Sequence, residues 1–183
     1  MRELSLHLLD IAENSVAAGA RNIVIRVRED LENDRLLLSV QDDGMGMDAE
    51  TTAKITDPFV TSRTTRKVGL GLPLLKEAAE FCNGYVHIDS SLGNGTLVEV
   101  EFQHSHIDRM PLGDLSGTYM TLLIASPEIH WLFEYQVNRE CFTLDDAPIK
   151  RELAGNPLSD PAVLGYLRET INQGIANIQP ILQ

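Results

Sequence analysis

Cysteine is scarce in this chain: Cys82 and Cys141 are the only two among 183 residues. Two thiols do not make a disulfide framework, so they imply reduced cysteines in a cytoplasmic protein. Long apolar runs are missing as well. Nothing approaches the roughly eighteen consecutive apolar residues that suggest a membrane span. The opening stretch MRELSLHLLDIAENS places Glu3 and Asp10 where a secretion signal needs unbroken apolar residues, which argues against secretion. Positive charge is short overall. A net charge of -12 argues against broad contact with a nucleic acid backbone or an anionic membrane, since both attract positive fields.

Acid, in turn, is locally absent. Between Pro58 and Lys76 there is no Asp or Glu, yet Arg63, Arg66, Lys67 and Lys76 fall there. A basic segment in an acidic chain suits a small, highly charged anion, and a solvated loop is the alternative. The length allows one domain, or one domain and a small second one, and the 43% hydrophobic content is ordinary for a folded protein.

Leu4, Leu8, Ile11 and Ser15 follow the helical period and predict a helix over 3–18, closed by Gly19. Residues 22–28 alternate as a strand, 29–34 read as a hairpin turn, and 35–41 as the second strand. Asp48 is a candidate N-cap for a short helix over 49–56. Residues 56–68 have no periodicity and are long for a connection, as lids and binding loops often are. A helix over 73–81 and strands over 85–89 and 96–102 complete a layered arrangement with helices on one face of a mixed or mostly antiparallel sheet. Residues 104–117 read as a linker. Beyond it, 118–125 and 131–143 look like strands, and 145–153 and 159–178 like helices. Trp131, Phe133 and Tyr135 alternate on one strand face, as core or as a partner surface.

Several short patterns carry chemistry. Asp10 and Asn14 lie four apart on the first helix and share a face. A carboxylate and an amide there can hold a hydrated Mg²⁺ and orient a water; a solvent-facing pair is the alternative. DDGMGM at 42–47 follows directly on a strand. Its two glycines allow positive φ and close backbone approach, and a strand-end carboxylate can accept from an exocyclic amine such as that of adenine. An acidic turn is the alternative. VGLGL at 68–72 leads into a helix, where backbone N–H groups and the helix dipole favour phosphate. GNGT at 93–96 is an ordinary hairpin turn whose Thr96 hydroxyl can reach a ligand.

In order and spacing these pieces resemble the ATPase superfamily of DNA gyrase, the heat-shock-90 chaperones, histidine kinases and MutL-type repair proteins (the GHKL group), most nearly a histidine-kinase-like ATP-binding domain. LLDIAENSVAAGA resembles the N box, DDGMGM the G1 box, DPFVTSR the F box, VGLGLPLL the G2 box, and GNGT the box that closes the last strand pair. The resemblance covers about residues 3–102. It implies an α+β fold of the Bergerat type, a two-layer α/β sandwich with helices on one face of a mixed sheet, over residues 1–103, with 118–183 as a small C-terminal α/β extension. It implies ATP or ADP with Mg²⁺ as ligands. Asn14 is then the Mg²⁺ residue, and Asp42 meets the adenine amine. Gly44, Gly46, Met47, Phe59, Arg63, Lys67, Gly69, Leu70, Gly71, Leu72 and Thr96 complete the nucleotide-binding set.

Two departures bear on activity. Hydrolysing members place a glutamate where this chain has Asp10, the candidate general base. Lys67 stands where histidine kinases often have a glycine. The expectation is an ATP-binding domain without the helical-hairpin dimerisation segment and its phospho-acceptor histidine. The resemblance therefore implies a nucleotide-binding regulator that closes a lid over 56–68 and acts on an unidentified partner protein. A protein kinase transferring phosphate from ATP to a partner, a MutL- or gyrase-like ATPase forming a nucleotide-driven homodimer, and a non-hydrolysing ATP/ADP sensor are the other readings.

Overall fold

A computed structural model of the chain describes residues 3–55, 71–153, 158 and 160–179. The first helix, α1 (Leu4–Ala17), buries Leu4, Leu8, Ile11, Ala12 and Ser15 along one stripe. Its first turn has no side-chain cap. Leu4 and Ser5 instead donate their N–H groups to the carbonyls of Pro111 (2.9 Å) and Leu112 (2.8 Å), which satisfies two donors that a helix start otherwise leaves unpaired. Part of the 104–117 segment thus closes the start of α1. The other end closes at Gly19 (φ 77°), whose N–H bonds Val16 while that of Ala20 bonds Ser15; a residue in this left-handed conformation lets both carbonyls find partners.

β1 (Asn22–Asp30) points Ile23, Ile25 and Val27 inward and turns through Asp34 (φ 56°) into β2 (Arg35–Asp42). The turn is shorter than expected because β1 runs on to Asp30. α2 (Ala49–Lys54) starts at Asp48, which accepts from the Thr51 N–H at 2.7 Å. α3 (Gly71–Phe81) takes in Gly71 and Leu72 ahead of the predicted start at 73. β3 (Tyr85–Ser90) and β4 (Thr96–Gln103) form the second hairpin.

The C-terminal part departs from expectation in two places. Residues 118–125 are not a strand. They belong to α4 (Leu115–Ala125), whose cap Asp114 accepts from the Gly117 N–H at 2.8 Å. α4 is wedged between α1 and the last helix, α6 (Pro161–Ile178). Leu115, Thr118, Tyr119, Met120, Leu122 and Leu123 are all buried there. A helix that is apolar around most of its girth shows no clear stripe, and this run imitates a buried strand. Residues 131–143 are not one strand but a hairpin, β5 (His130–Val137) and β6 (Glu140–Asp145), turned at Asn138 (φ 51°). α5 (Asp146–Glu152) and α6 lie where helices are expected, and Asp160 caps α6 through the Ala162 N–H at 2.8 Å.

All the strands join one sheet in the order β3-β4-β2-β1-β5-β6. Every neighbouring pair is antiparallel except β1 and β5, which run parallel. Inward residues of the strands merge with those of α1, α3, α4 and α6 into one core, giving the two-layer α+β arrangement. Trp131, Phe133, Tyr135 and Val137 of β5 lie in that core and not on a surface. Cys82 and Cys141 are both free, and no described helix is long and apolar enough to cross a membrane.

Trp131 is fully buried, and its indole N–H donates to the Ser126 carbonyl at 3.1 Å. Trp131→Ala should lower the unfolding free energy by about 3–5 kcal/mol, read from urea denaturation by circular dichroism.

Candidate functional site

Asp42 ends β2, paired in register with Ile23 on one side and Thr96 on the other. Strand alternation puts its side chain on the core face with Leu38 and Val40. There it lies beneath α1. The Ser15 hydroxyl donates to Asp42 Oδ2 at 2.6 Å, and the Gly44 N–H donates to Oδ1 at 2.8 Å. Two donors fix the carboxylate and leave lone pairs for another donor. Asp43 turns the other way. Burial works against its charge, but the side chain and N–H of Asn22 and the N–H of Arg21 outweigh it and hold Asp43 below the usual carboxylate range.

The loop after Asp42 is stitched on both sides. Met45 N–H bonds Ala18 O at 3.0 Å at the end of α1, and Gly93 N–H bonds Met45 O at 2.8 Å. Met47 N–H bonds Ser90 Oγ at 2.9 Å, and Ser90 Oγ lies 2.8 Å from Thr96 Oγ1. Two glycines make this seam possible. Gly46 (φ 63°) would place a Cβ 2.0 Å from the Ser91 carbonyl oxygen, and Gly95 (φ 82°) would place one 1.9 Å from that of Asp42. The close backbone approach at Gly46 is therefore to the β3–β4 turn, so the glycine spacing serves the scaffold. Gly44 is buried more loosely, a Cβ there lying 3.0 Å from Ala18 and from Asp42 Oδ1.

Asp10 is half-buried and Asn14 exposed, one turn further along α1. A Cβ on Gly71 would sit 3.2 Å from Asp10 Oδ2, so the start of α3 lies against Asp10. Leu72 points into the core. The structure thus brings Asp42, Gly44 and Thr96 together at the end of β2 and sets Gly71 against Asp10, with Asn14 one turn beyond Asp10 on α1. Phe59, Arg63, Lys67, Gly69 and Leu70 lie outside the described residues, as does the whole of the expected lid, residues 56–68. His7 is buried, its Nδ1 without a hydrogen-bond partner among the described residues, and burial pushes its imidazole below the usual value.

Ser15, Asn22 and Ser90 hold the loop, and none stands out in the sequence. The signal at Ser15 is a hydroxyl in the middle of an apolar helix stripe, where a buried polar group needs a partner. Asn22 and Ser90 meet their partners only after folding.

Residues 2–106 match the family described as histidine kinase-, DNA gyrase B-, and HSP90-like ATPase. A putative sensor protein of Shewanella frigidimarina (strain NCIMB 400) is 31% identical over 103 residues, 55% of this chain and 16% of that protein. The sensor histidine kinase YvrG of Bacillus subtilis (strain 168) is 29% identical over 100 residues, 52% of this chain and 17% of that one. The chain thus spans about a sixth of the length of these relatives. Among solved structures, the Aquifex aeolicus MutL ATPase domain complexed with ADP superposes with a TM-score of 0.51 at 14% identity, over 94% of this chain and 70% of that one. This likeness of fold runs through the C-terminal elements as well.

Ser15→Ala leaves a buried carboxylate oxygen without its donor. The expected loss of stability is about 1–3 kcal/mol, measured by urea denaturation, with Ser15→Thr costing less because the hydroxyl is kept.

Proposed function

The chain belongs to the histidine kinase-, DNA gyrase B- and HSP90-like ATPase family, with an ATP-binding domain of the histidine kinase type, and from that premise we propose that it is a regulator that binds ATP or ADP with Mg²⁺ and acts on a partner protein. In this reading residues 1–103 are the nucleotide domain and 118–183 are the segment that responds to its state. The observation that carries it is the Asp42 carboxylate, held at a strand end by Ser15 and Gly44 and placed beside the α1 face that bears Asp10 and Asn14.

The described residues fit a bound nucleotide. Asp42 is 9% exposed, and its remaining lone pairs suit the adenine amine. Gly44 leaves room where a side chain would crowd Asp42 and Ala18. Asn14, exposed one turn beyond Asp10, would hold the Mg²⁺, an ion that takes oxygen ligands and keeps waters. The bound ion would offset phosphate charge, which with positioning dominates phosphoryl transfer. Asp10 is the candidate base, placed by Gly71 at the start of α3. Met47, Thr96 and Leu72 are assigned to the site on the resemblance, with the Leu72 side chain in the core. Phe59, Arg63, Lys67, Gly69 and Leu70 are assigned to the lid and the phosphate loop on the resemblance alone. The cytoplasm, with its reduced thiols, is the proposed compartment.

A second reading has one observation in its favour. β5 extends the sheet past β1, and the fold likeness to a MutL ATPase domain includes these elements. Nucleotide would then drive dimerisation, and light scattering with a non-hydrolysable analogue would show a doubled mass. An unchanged mass favours the partner-directed reading. The short Asp10 carboxylate favours binding without turnover, and a wild-type rate of ATP hydrolysis equal to that of Asp10→Ala would support the sensor.

Calorimetry with ATP and ADP, with and without Mg²⁺, tests the proposal. Wild type should bind, and Asp42→Asn should bind about ten- to a hundredfold more weakly, as losing a charge-assisted hydrogen bond implies. No binding by wild type at millimolar nucleotide overturns the proposal, and equal binding by Asp42→Asn overturns the adenine assignment.

A further inference from the structure

Beside the 42–47 loop, the start of β1, the start of β5 and the end of β6 line up along one rim of the sheet, and four side chains join them in a row. Asn22 Nδ2 donates to Asp43 Oδ2 at 2.6 Å. Asn22 Oδ1 faces His130 Nδ1 at 3.1 Å, and His130 Nε2 faces Asp145 Oδ1 at 2.9 Å. Asn22 and His130 are register partners in the parallel β1–β5 pair, and the His130 N–H also bonds the Arg21 carbonyl at 2.8 Å.

The direction of each bond follows from its neighbours. An ionised Asp43 can only accept, so the Asn22 amide nitrogen must face it. That turns the Asn22 oxygen, another acceptor, toward His130. Asp145 is an acceptor as well. The Ala147 N–H that it caps and His130 beside it hold its carboxyl below the usual range. His130 therefore stands between two acceptors, and both of its bonds exist together only when both ring nitrogens carry hydrogen. The other charged groups around it are Asp146, buried on α5, with Lys150 paired to it at 2.6 Å, and Arg151 near Asp145. His130, Asp145 and Asp146 have the spacing of metal ligands. The Lys150 ammonium already neutralises Asp146, and both ring nitrogens are engaged, so a cation is a poor occupant.

We propose that His130 is a positioning residue for the nucleotide: in contact through both ring nitrogens, it ties the Asp43 loop, through Asn22, to Asp145 at the cap of α5. This rests on the reading that Asp42, in the same loop, receives adenine. Raising the pH removes one ring N–H, and either the Asn22 or the Asp145 bond is lost. Nucleotide affinity then falls, because the loop that receives adenine is held by one contact fewer. The C-terminal segment and the nucleotide loop thereby report on each other through a contact between residues distant in sequence.

The test is ADP affinity by calorimetry near pH 6 and near pH 8, about the range where imidazoles titrate, for wild type, His130→Gln and His130→Arg. Gln offers a donor to one side and an oxygen to the other, whereas Arg donates at any pH. Titration of ADP itself affects all three proteins alike, so only differences between them count. Wild type should lose about three- to tenfold more affinity across the range than either variant, a modest coupling. Gln should be weak throughout and Arg tight throughout. Superimposable profiles, with ADP bound, overturn the role of His130 and leave the nucleotide site standing. No ADP binding by wild type at either pH overturns both. Should a variant fail to fold, the His130 ring resonances of wild type decide: they should move when ADP binds, and unmoved resonances overturn the proposal.

Discussion

Asp42 brings a negative charge to a position that is nearly closed to water, and the surrounding structure is arranged around keeping it satisfied. A buried carboxylate without partners is costly. Here the cost is offset by Ser15 from α1 and by the loop's own Gly44 N–H. That arrangement fixes the height of α1 over the sheet. It also needs the backbone of Gly95 to pass within a distance that no side chain would permit. The N-terminal helix, the loop after β2 and the β3–β4 turn are thus bound to one another at a single residue. In the proposed function the same residue receives the adenine amine.

The C-terminal elements are not an appendage to this arrangement. β5 lies parallel to β1 and covers what would otherwise be a sheet edge beside the central strand. α4 packs on α1, and the segment before it caps the first turn of that helix through Pro111 and Leu112. α1 carries Asp10, Asn14 and Ser15, so the segment that would report nucleotide state leans on the helix that would hold the nucleotide. The row from Asp43 to Asp145 adds a second, polar connection at the sheet rim.

Much of residues 3–103 was legible in the sequence because it is specified locally. The stripe Leu4, Leu8, Ile11 closed by Gly19, the alternation Ile23, Ile25, Val27, and the Asp48 cap each encode an element within a few residues. Gly44, Gly46 and Gly71 were legible as glycines with a purpose, but for Gly46 the purpose is backbone-to-backbone contact within the protein, as it is for Gly95, which reads as an ordinary turn residue. The run 118–125 misleads because burial against α1 and α6 demands apolar residues on most sides, which removes the helical period. Asn138 escapes notice because a lone asparagine in the left-handed conformation is a weaker turn signal than Asn-Gly. The bonds of Ser15 to Asp42 and of His130 to Asn22 span 27 and 108 residues, and at separations of that size nothing local names the partner.

The central claim is that nucleotide sits at the end of α1 against Asp42. An ADP titration followed by backbone amide NMR tests it most directly. The amides of Asn14, Gly44, Gly46, Gly71 and Gly95 should shift together and saturate, while those of Arg26, Glu99 and Glu134 on the open face of the sheet should stay in place. Shifts confined to the open face, or none at millimolar ADP, would contradict the account.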